Sequence, residues 1–263
     1  MIIQSGNDAT IALAEAVAGS EDAFVVLMNQ QAKRLALTST QFANSTGLPA
    51  PQHTSTARDL AKLTATLIHD FSEYYPIYAQ KEYRYNEISQ PNRNRLLWRD
   101  PTVDGVKTGH TEAAGYCLIS SAKRDGRRLI AVVLGTGSDS ARTAESQKLL
   151  NYGYQNFDTV RLYEPQQAAT TPRVWKGAIN QVKAGFPEGL YVTVPKGKGP
   201  ALKARIESQQ PLLAPLHAGQ TIATLKLELD GKPFHTLPIV ALEAVPVAGL
   251  FGRTWDTLRL ALQ

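Results

Sequence analysis

Residues Val103–Thr111 read Val-Asp-Gly-Val-Lys-Thr-Gly-His-Thr, and this stretch decides how the rest of the chain is interpreted. It lies between a polar, turn-rich segment (90–102) and an apolar run (116–121), which predicts a β-strand with Lys-Thr-Gly near its start. Such a strand lines a cleft with a cation, a hydroxyl and a bare backbone that a ligand can approach closely. Taken alone, the triplet favours the simpler interpretation of a strand lysine followed by a turn glycine.

Two further strands and a long helix follow this stretch. Segments 115–123 and 127–135 read as strands, and Asp125-Gly126 between them is a strong hairpin signal. A helix is predicted over 138–157. The apolar side chains expected on one face of that helix are Ala144, Leu149, Leu150 and Tyr154. Three consecutive strands after a helical region predict the α+β class with an antiparallel sheet.

The residues upstream of the strands predict helices. Helical spacing over 8–17 and 20–35 predicts an αα-hairpin, with Ser20 as the N-cap of its second helix. Ser5 and Asn7 stand at the mouth of the first helix, where helix capping is the simpler interpretation of both. A third helix is predicted from a cap among residues 54–56 to about residue 69.

The pattern changes after Phe157. Proline becomes frequent, and short alternating runs replace the helical spacing, which predicts a small all-β sandwich. These runs are 160–163, 190–194, 201–206, 222–229 and 234–242. The last segment returns to helical spacing, with Phe251, Trp255, Leu258 and Leu262 on one side. We therefore predict three regions: 1–157, 158–249 and 250–263.

Composition excludes several classes of protein. The 263 residues are 43% hydrophobic and 19% charged, which is typical of a globular protein. The net charge of +5 comes from dispersed Lys and Arg, so we expect no nucleic-acid partner. No stretch is long and apolar enough to predict a bilayer span. No signal peptide is visible, so either the protein is cytoplasmic or the sequence starts downstream of its natural N-terminus.

Metal and cofactor chemistry is not expected. Four histidines, at positions 53, 69, 217 and 235, show no metal-ligand spacing and are interpreted as structural or surface residues. Cys117 is the only cysteine and lies in an apolar run, which predicts a buried, inert thiol. We therefore expect no cofactor.

Several motifs together are more specific than any triplet. Their segments are 4–8 (with Ser5-Gly6-Asn7), 55–59, 92–94, 103–111 and 144–150. In this order they resemble the low-molecular-mass penicillin-binding proteins, and most closely the D-alanyl-D-alanine carboxypeptidases of the penicillin-binding protein 5 and 6 type (serine peptidase family S11). The resemblance covers essentially the whole chain. It implies a partial penicillin-binding-protein/β-lactamase-like transpeptidase domain in 1–157, the β-sandwich in 158–249 and an amphipathic membrane-anchor tail in 250–263.

One part of the family pattern is not found at its expected place. The nucleophile of the family is the serine of a Ser-x-x-Lys motif N-terminal to Ser-x-Asn, and only four residues precede Ser5. Ser120-Ser121-Ala122-Lys123 matches literally, but it follows Lys-Thr-Gly in an extended run. We reject it, because the motif needs a helix start that puts Ser and Lys one turn apart on one face. We expect a partial domain, inactive alone, without the signal peptide and first part of the catalytic domain.

The resemblance implies catalytic roles for three residues. Ser5 would relay protons, Asn7 would hydrogen-bond the substrate peptide, and Lys107 would supply positive potential and contact Ser5. These roles belong to acyl transfer, in which a serine attacks the penultimate D-Ala carbonyl, D-Ala leaves and water deacylates the enzyme.

The resemblance also implies four substrate-binding residues. Thr108 would bind the terminal carboxylate, Gly109 would let the peptide approach, and the backbone N–H of His110 would form half of an oxyanion hole. Arg93 is a candidate for steering the carboxylate, and a solvated loop arginine is the alternative interpretation.

The implied function is a serine D-Ala-D-Ala carboxypeptidase of peptidoglycan maturation. Its expected partners are peptidoglycan pentapeptide stems, β-lactam antibiotics and a membrane surface, and its expected place is the periplasm, on the inner membrane. The alternatives are a non-catalytic peptidoglycan-binding or scaffold protein and a β-lactamase relative; the β domain and tail argue against the latter. For the apolar side of the tail, the alternative to membrane attachment is packing on the β domain.

Overall fold

The structure is a computed structural model that describes residues 1–208 and 210–261. The chain divides into two compact units, Met1–Gln155 and Asn156–Gln263. The predicted placement of Leu262 on the tail helix lies outside the described residues. Among the helices in the described ranges, none is both long and apolar enough to cross a membrane.

The first unit begins with three helices. They are α1 (Asn7–Ala18), α2 (Glu21–Arg34) and α3 (Ala57–Asp70). The caps of the second and third helices follow the prediction: the Ser20 hydroxyl accepts a hydrogen bond from the Ala23 amide, and the Thr56 hydroxyl accepts one from the Asp59 amide, both at 3.2 Å. Each cap satisfies one of the amide groups left free in a first helical turn.

Helix α1 starts differently. Its N-cap is Gly6, which provides no side-chain capping bond. The capping interpretation of Ser5 and Asn7 is therefore wrong, and both side chains are available for other contacts.

A hairpin and a short helix connect α3 to the central sheet. After a 3-10 helix at Tyr75–Ala79 come β1 (Glu82–Tyr85), β2 (Ile88–Pro91) and α4 (Leu96–Arg99). Strands β1 and β2 pair in an antiparallel hairpin. The turn between them, Asn86-Glu87, has φ angles of 47° and 61°, so two non-glycine residues adopt a conformation for which glycine is the usual signal.

The central sheet has three antiparallel strands in the order β3-β4-β5. These are β3 (Val103–Thr111), β4 (Gly115–Arg124) and β5 (Arg127–Thr136), as the α+β prediction requires. Asp125 and Gly126 have φ angles of 49° and 78°, which confirms the predicted hairpin turn. Because β3 begins at Val103, Lys-Thr-Gly begins at the middle of the strand and not near its start.

Helix α5 (Asp139–Asn156) buries the face predicted from its apolar pattern only in part. Leu150 is buried as expected, whereas Leu149 is 45% exposed. The buried face also includes Arg142, Thr143 and Ser146. A Cβ added at Gly153 would lie 2.7 Å from a Leu129 methyl group, so the helix approaches its neighbours closely. At Gly153 this close approach leaves no room for a larger side chain.

The second unit is built from short strands. They are β6 (Phe157–Tyr163), β7 (Ala168–Thr170), β8 (Val174–Trp175), β9 (Ala184–Gly185), β10 (Leu190–Pro195), β11 (Leu202–Ser208), β12 (Leu212–Leu213), β13 (Thr221–Leu229) and β14 (Lys232–Ala241). One sheet has the order β11-β13-β14-β9-β7, and β10-β6 and β12-β8 form two separate pairs. The buried side chains of this unit form one apolar cluster, which includes Val174, Val194, Leu225 and Ile239. All five strands predicted in this region are present.

The C-terminal helix α6 (Leu250–Leu260) contacts its own unit through a polar residue. Asp256 is buried, and its carboxylate accepts a hydrogen bond of 2.6 Å from the Lys176 amide. Phe251 is 94% exposed, and Trp255 and Leu258 are each 61% exposed. The alternative in which this apolar side packs on the β domain is therefore wrong for these three residues.

Candidate active site

The Ser-x-Asn and Lys-Thr-Gly motifs meet in the first unit. Lys107 donates a short hydrogen bond from its ammonium group to the Ser5 hydroxyl, and a second bond of 3.0 Å to the Thr108 carbonyl. Lys107 belongs to β3, and Ser5 immediately precedes Gly6, the N-cap of α1. The start of a helix and the middle of a strand thus bring a hydroxyl and a cation together.

The backbone before α1 places Ser5 at this point. Ser5 has a φ angle of 58°, and its amide donates a 2.8 Å hydrogen bond to the Met1 carbonyl. The Gln4 side-chain amide donates a 2.6 Å bond to the Pro91 carbonyl at the end of β2. A left-handed conformation is uncommon for serine, and strained positions of this kind concentrate at functional sites.

A cavity of about 410 Å³ gathers the residues predicted for the site. All seven predicted residues line it: Ser5, Asn7, Arg93, Lys107, Thr108, Gly109 and His110. The His110 ring packs against Tyr116 on β4, with ring centroids 3.9 Å apart. The structure therefore brings the predicted residues together, while the role of each remains a prediction.

Arg142 is a site residue that the sequence analysis missed. Its side chain is only 7% exposed and forms a 2.5 Å ion pair with Asp139, one turn earlier on α5. The same guanidinium donates a 3.0 Å hydrogen bond to the Gly109 carbonyl, so it joins α5 to the Lys-Thr-Gly strand. The Asp-x-x-Arg spacing in a first helical turn was the available signal, but it does not tell which way an arginine points.

Three cations surround the cleft, and they affect one another. The pKa of Lys107 is lowered from 10.5 to about 8, first by burial and then by the positive charges of Arg93 and Arg142. Burial removes water from the ammonium group, and the two guanidinium groups repel its proton. A ligand carboxylate would relieve this repulsion, so the cleft is suited to an anionic group.

Ser120 and Lys123 do not form a nucleophile pair. Both lie in the extended strand β4, where residues three apart point to opposite faces. Ser120 is 0% exposed and Lys123 is exposed. The rejection of this Ser-x-x-Lys match agrees with the structure.

Cys117 differs from its prediction. It is half-buried, and it lines the cavity beside Gly109, its partner in the β3–β4 register. The apolar run around it alternates between the two faces of β4, and Cys117 falls on the face toward the cleft.

A Lys-Thr-Gly strand facing a Ser-x-Asn helix start is the arrangement of the penicillin-binding-protein class. Comparison with known proteins agrees: residues 1–138 match the family model described as D-alanyl-D-alanine carboxypeptidase, and residues 157–247 match the penicillin-binding protein 5 C-terminal domain. The chain belongs to the D-alanyl-D-alanine carboxypeptidase family, serine peptidases S11, as the sequence motifs predicted.

Two curated relatives illustrate the similarity. DacC of Escherichia coli (strain K12) is 48% identical over 258 residues, which are 97% of this chain and 64% of DacC. DacA of Haemophilus influenzae (strain Rd) is 42% identical over an alignment that covers 100% of this chain and 68% of that protein. The chain thus spans about two thirds of the length of these relatives.

Solved structures show the same fold. Penicillin-binding protein 5 from Haemophilus influenzae is 42% identical with a TM-score of 0.85, over 93% of this chain and 72% of that one. Penicillin-binding protein D2 from Listeria monocytogenes, in a cefotaxime-bound form, is 34% identical with a TM-score of 0.55, over 59% of this chain and 63% of that one. The α+β transpeptidase-like fold and the all-β domain are therefore confirmed.

Proposed function

We propose that the cleft binds the D-alanyl-D-alanine end of peptidoglycan pentapeptide stems and takes part in serine D,D-carboxypeptidase chemistry, releasing the terminal D-Ala. The observation that carries this proposal is the hydrogen bond from Lys107 to Ser5 inside an electropositive cleft. The family of the chain supports the same activity.

The terminal carboxylate of the stem is assigned to Thr108, Arg93 and Arg142. Thr108 offers a hydroxyl donor, and the two arginines supply charge around the same cavity. Charge-assisted hydrogen bonds of this kind are about twice as strong as neutral ones. The exposed backbone at Gly109 lets the peptide lie against β3 without meeting a side chain.

Ser5 and Lys107 are assigned to proton transfer. During acylation, the hydroxyl proton of the nucleophilic serine of the Ser-x-x-Lys motif must reach the nitrogen of the departing D-Ala. The Ser5 hydroxyl, which is hydrogen-bonded to the Lys107 ammonium group, can accept a proton and pass one on. Asn7, exposed at the first turn of α1, is placed to hydrogen-bond the stem backbone. β-Lactams, which resemble this peptide end, are proposed to enter the same cleft.

Binding is tested on the chain itself. Calorimetry would compare an N-acetylated peptide ending in D-Ala-D-Ala carboxylate with its C-terminal amide. We expect the acid to bind at least about tenfold more tightly, because the charged pair is lost in the amide. Thr108→Val and Arg93→Gln should reduce the difference, and the exposed Lys123→Gln serves as a control for net charge. Equal affinities for the acid and the amide would contradict the assignment of the terminal carboxylate to Thr108 and the two arginines.

Turnover is tested separately, in a longer protein in which a segment with the Ser-x-x-Lys motif of the family is joined ahead of residue 1. Release of D-Ala is expected, and Ser5→Ala and Lys107→Ala should each slow acylation by about 10²–10⁴-fold, as removal of a proton-transfer group does. Tight binding of the acid peptide without release of D-Ala would favour the non-catalytic peptidoglycan-binding alternative.

We also propose that α6 attaches the protein to a membrane surface, on the periplasmic side of the inner membrane. Phe251, Trp255 and Leu258 are exposed at helical spacing, while Arg253 and Arg259 are available to anionic headgroups. Eleven helical residues provide a weak, reversible anchor. Co-sedimentation with anionic vesicles should fall when Phe251 and Trp255 are changed to serine, and equal pelleting of both proteins would reject the anchor.

A further inference from the structure

A second cavity, of about 680 Å³, adjoins the catalytic cleft. Its walls include Arg93, Arg95, Trp98, Arg99, Tyr116 and Arg142. Arg93, Tyr116 and Arg142 also line the catalytic cleft, so the two cavities share a wall. We call this second cavity the side pocket.

The side pocket holds more positive than negative charge. Asp139 is its one acidic lining residue, and it pairs with both Arg95 (2.6 Å) and Arg142 (2.5 Å). Among the described residues, Arg93 and Arg99 have no carboxylate partner. Four guanidinium groups therefore surround a single carboxylate, and the mutual repulsion of the cations favours an added anion.

The side pocket also offers apolar surface. Trp98 is 48% exposed, although tryptophan usually buries most of its ring. Tyr116 provides a second ring on the wall shared with the catalytic cleft. Guanidinium groups around aromatic rings are suited to a peptide that presents carboxylates together with apolar side chains, because arginine pairs with carboxylates in a fixed, bidentate geometry.

We propose that the side pocket binds an acidic peptide segment, with its carboxylates on Arg95 and Arg99 and its apolar atoms on Trp98. This goes beyond the proposed D,D-carboxypeptidase function and does not rest on it, because it is argued from the arginines and the tryptophan of the side pocket and is tested by binding alone. The side pocket has four guanidinium groups and one carboxylate, which favours a peptide with several carboxylates over a free amino acid with one.

The test uses the 263-residue chain and a defined probe. N-acetyl-alanyl-glutamate carries two carboxylates, and N-acetyl-alanyl-glutamine amide is its uncharged counterpart. Binding is followed by tryptophan fluorescence, with Trp98→Phe to identify the signal, and by calorimetry. Inorganic phosphate is titrated in parallel, since it presents the other common anion to an arginine cluster.

We expect the acid to bind and the amide not to bind. Arg99→Gln should weaken binding of the acid about threefold to fivefold, the scale of an ion pair open to solvent. The double change of Arg95 and Arg99 to Gln should weaken it more than about tenfold. Arg58→Gln, which removes an exposed charge on α3, and Lys107→Met, which removes a cation that lines the catalytic cleft but not the side pocket, should leave it within about twofold.

Three results would overturn the proposal. The first is unchanged affinity in Arg99→Gln combined with loss of binding in Lys107→Met, which would place the probe in the catalytic cleft. The second is equal binding of acid and amide. The third is phosphate binding more tightly than the dipeptide, which would assign the side pocket to another anion. The double variant also loses the Arg95–Asp139 ion pair, which can affect folding. Arg99 has no ion-pair partner among the described residues, so the single variant Arg99→Gln tests the proposal without this effect.

Discussion

Lys107 donates a hydrogen bond to the Ser5 hydroxyl across a separation of 102 residues in the sequence. The contact joins the middle of β3 to the residue that precedes the N-cap of α1. It brings the two motifs of the chain into one site, which Lys107 supplies with a positive charge.

Lys107 should titrate near pH 8. Its pKa is lowered to about 8 by burial and by the charges of Arg93 and Arg142. NMR titration of labelled lysine side chains should show one resonance with this midpoint, absent in Lys107→Met. Arg93→Gln should move the midpoint upward, because a repelling charge is removed. A midpoint above 10 in the wild type would contradict the assignment.

Stability should depend on pH through the same group. The pKa of Lys107 is about 8 in the folded protein against 10.5 ordinarily, so the unfolded chain holds the proton more tightly. Below about pH 8 both states are protonated and the full cost of the buried charge is present. Between about pH 8 and 10.5 the folded protein releases its proton first, so stability rises with pH, by at most about 3 kcal/mol.

The comparison that isolates this effect is wild type against Lys107→Met. Urea unfolding of both proteins at pH 7 and pH 10, followed at residues 1–155, cancels the contribution of other titrating groups. The free energy of unfolding of the wild type should increase relative to the variant as pH rises. A difference between the two proteins that does not change with pH would contradict the prediction.

Gly109→Ala should separate binding from stability. A Cβ at this position meets nothing closer than the Cβ of Cys117 at 3.9 Å, so the fold accepts it. The methyl group would nevertheless stand where a peptide approaches β3. We expect a free energy of unfolding within about 1 kcal/mol of wild type, together with clearly weaker binding of the acetylated D-Ala-D-Ala peptide. Wild-type binding would show that the ligand does not lie along this strand.

Gly105→Ala, on the same strand, should lower the free energy of unfolding. Its Cβ would lie 2.6 Å from the Tyr75 hydroxyl oxygen, which hydrogen-bonds the Asp104 carboxylate at 3.0 Å. Overpacking of this kind costs about 1–3 kcal/mol. Combining it with Tyr75→Phe, which removes the clashing oxygen, should recover part of the loss. Thermal unfolding of the two single variants and the double variant measures this, and strictly additive losses would rule out the proposed clash.

The 263-residue chain should form no covalent adduct with a β-lactam. Its Ser-x-x-Lys match lies in β4, where Ser120 is fully buried and Lys123 is on the other face. Mass spectrometry after incubation with a penicillin should show the unmodified mass. A stoichiometric acyl adduct on any residue would contradict this, and an adduct on Ser120 would reverse the rejection of that motif.

The sequence alone determined the features that depend on neighbouring residues. The Ser20 cap, a cap among residues 54–56, the strand around Lys107 and the turn at Asp125-Gly126 are set by local backbone preferences, and the structure has each of them. The order of the motifs also determined the family. These features can be predicted from the sequence because capping, alternation and left-handed turn conformations each involve only a few adjacent residues.

Only the tertiary structure decided which side chains meet and which way each faces. Helical spacing alone does not say that α5 turns Arg142 inward to the Gly109 carbonyl while Leu149 stays exposed. On α6, the buried residue is Asp256, held by the Lys176 amide, and the apolar side chains face outward. The physical reason is that the direction of a side chain depends on the surfaces packed against its element, which come from residues far along the chain.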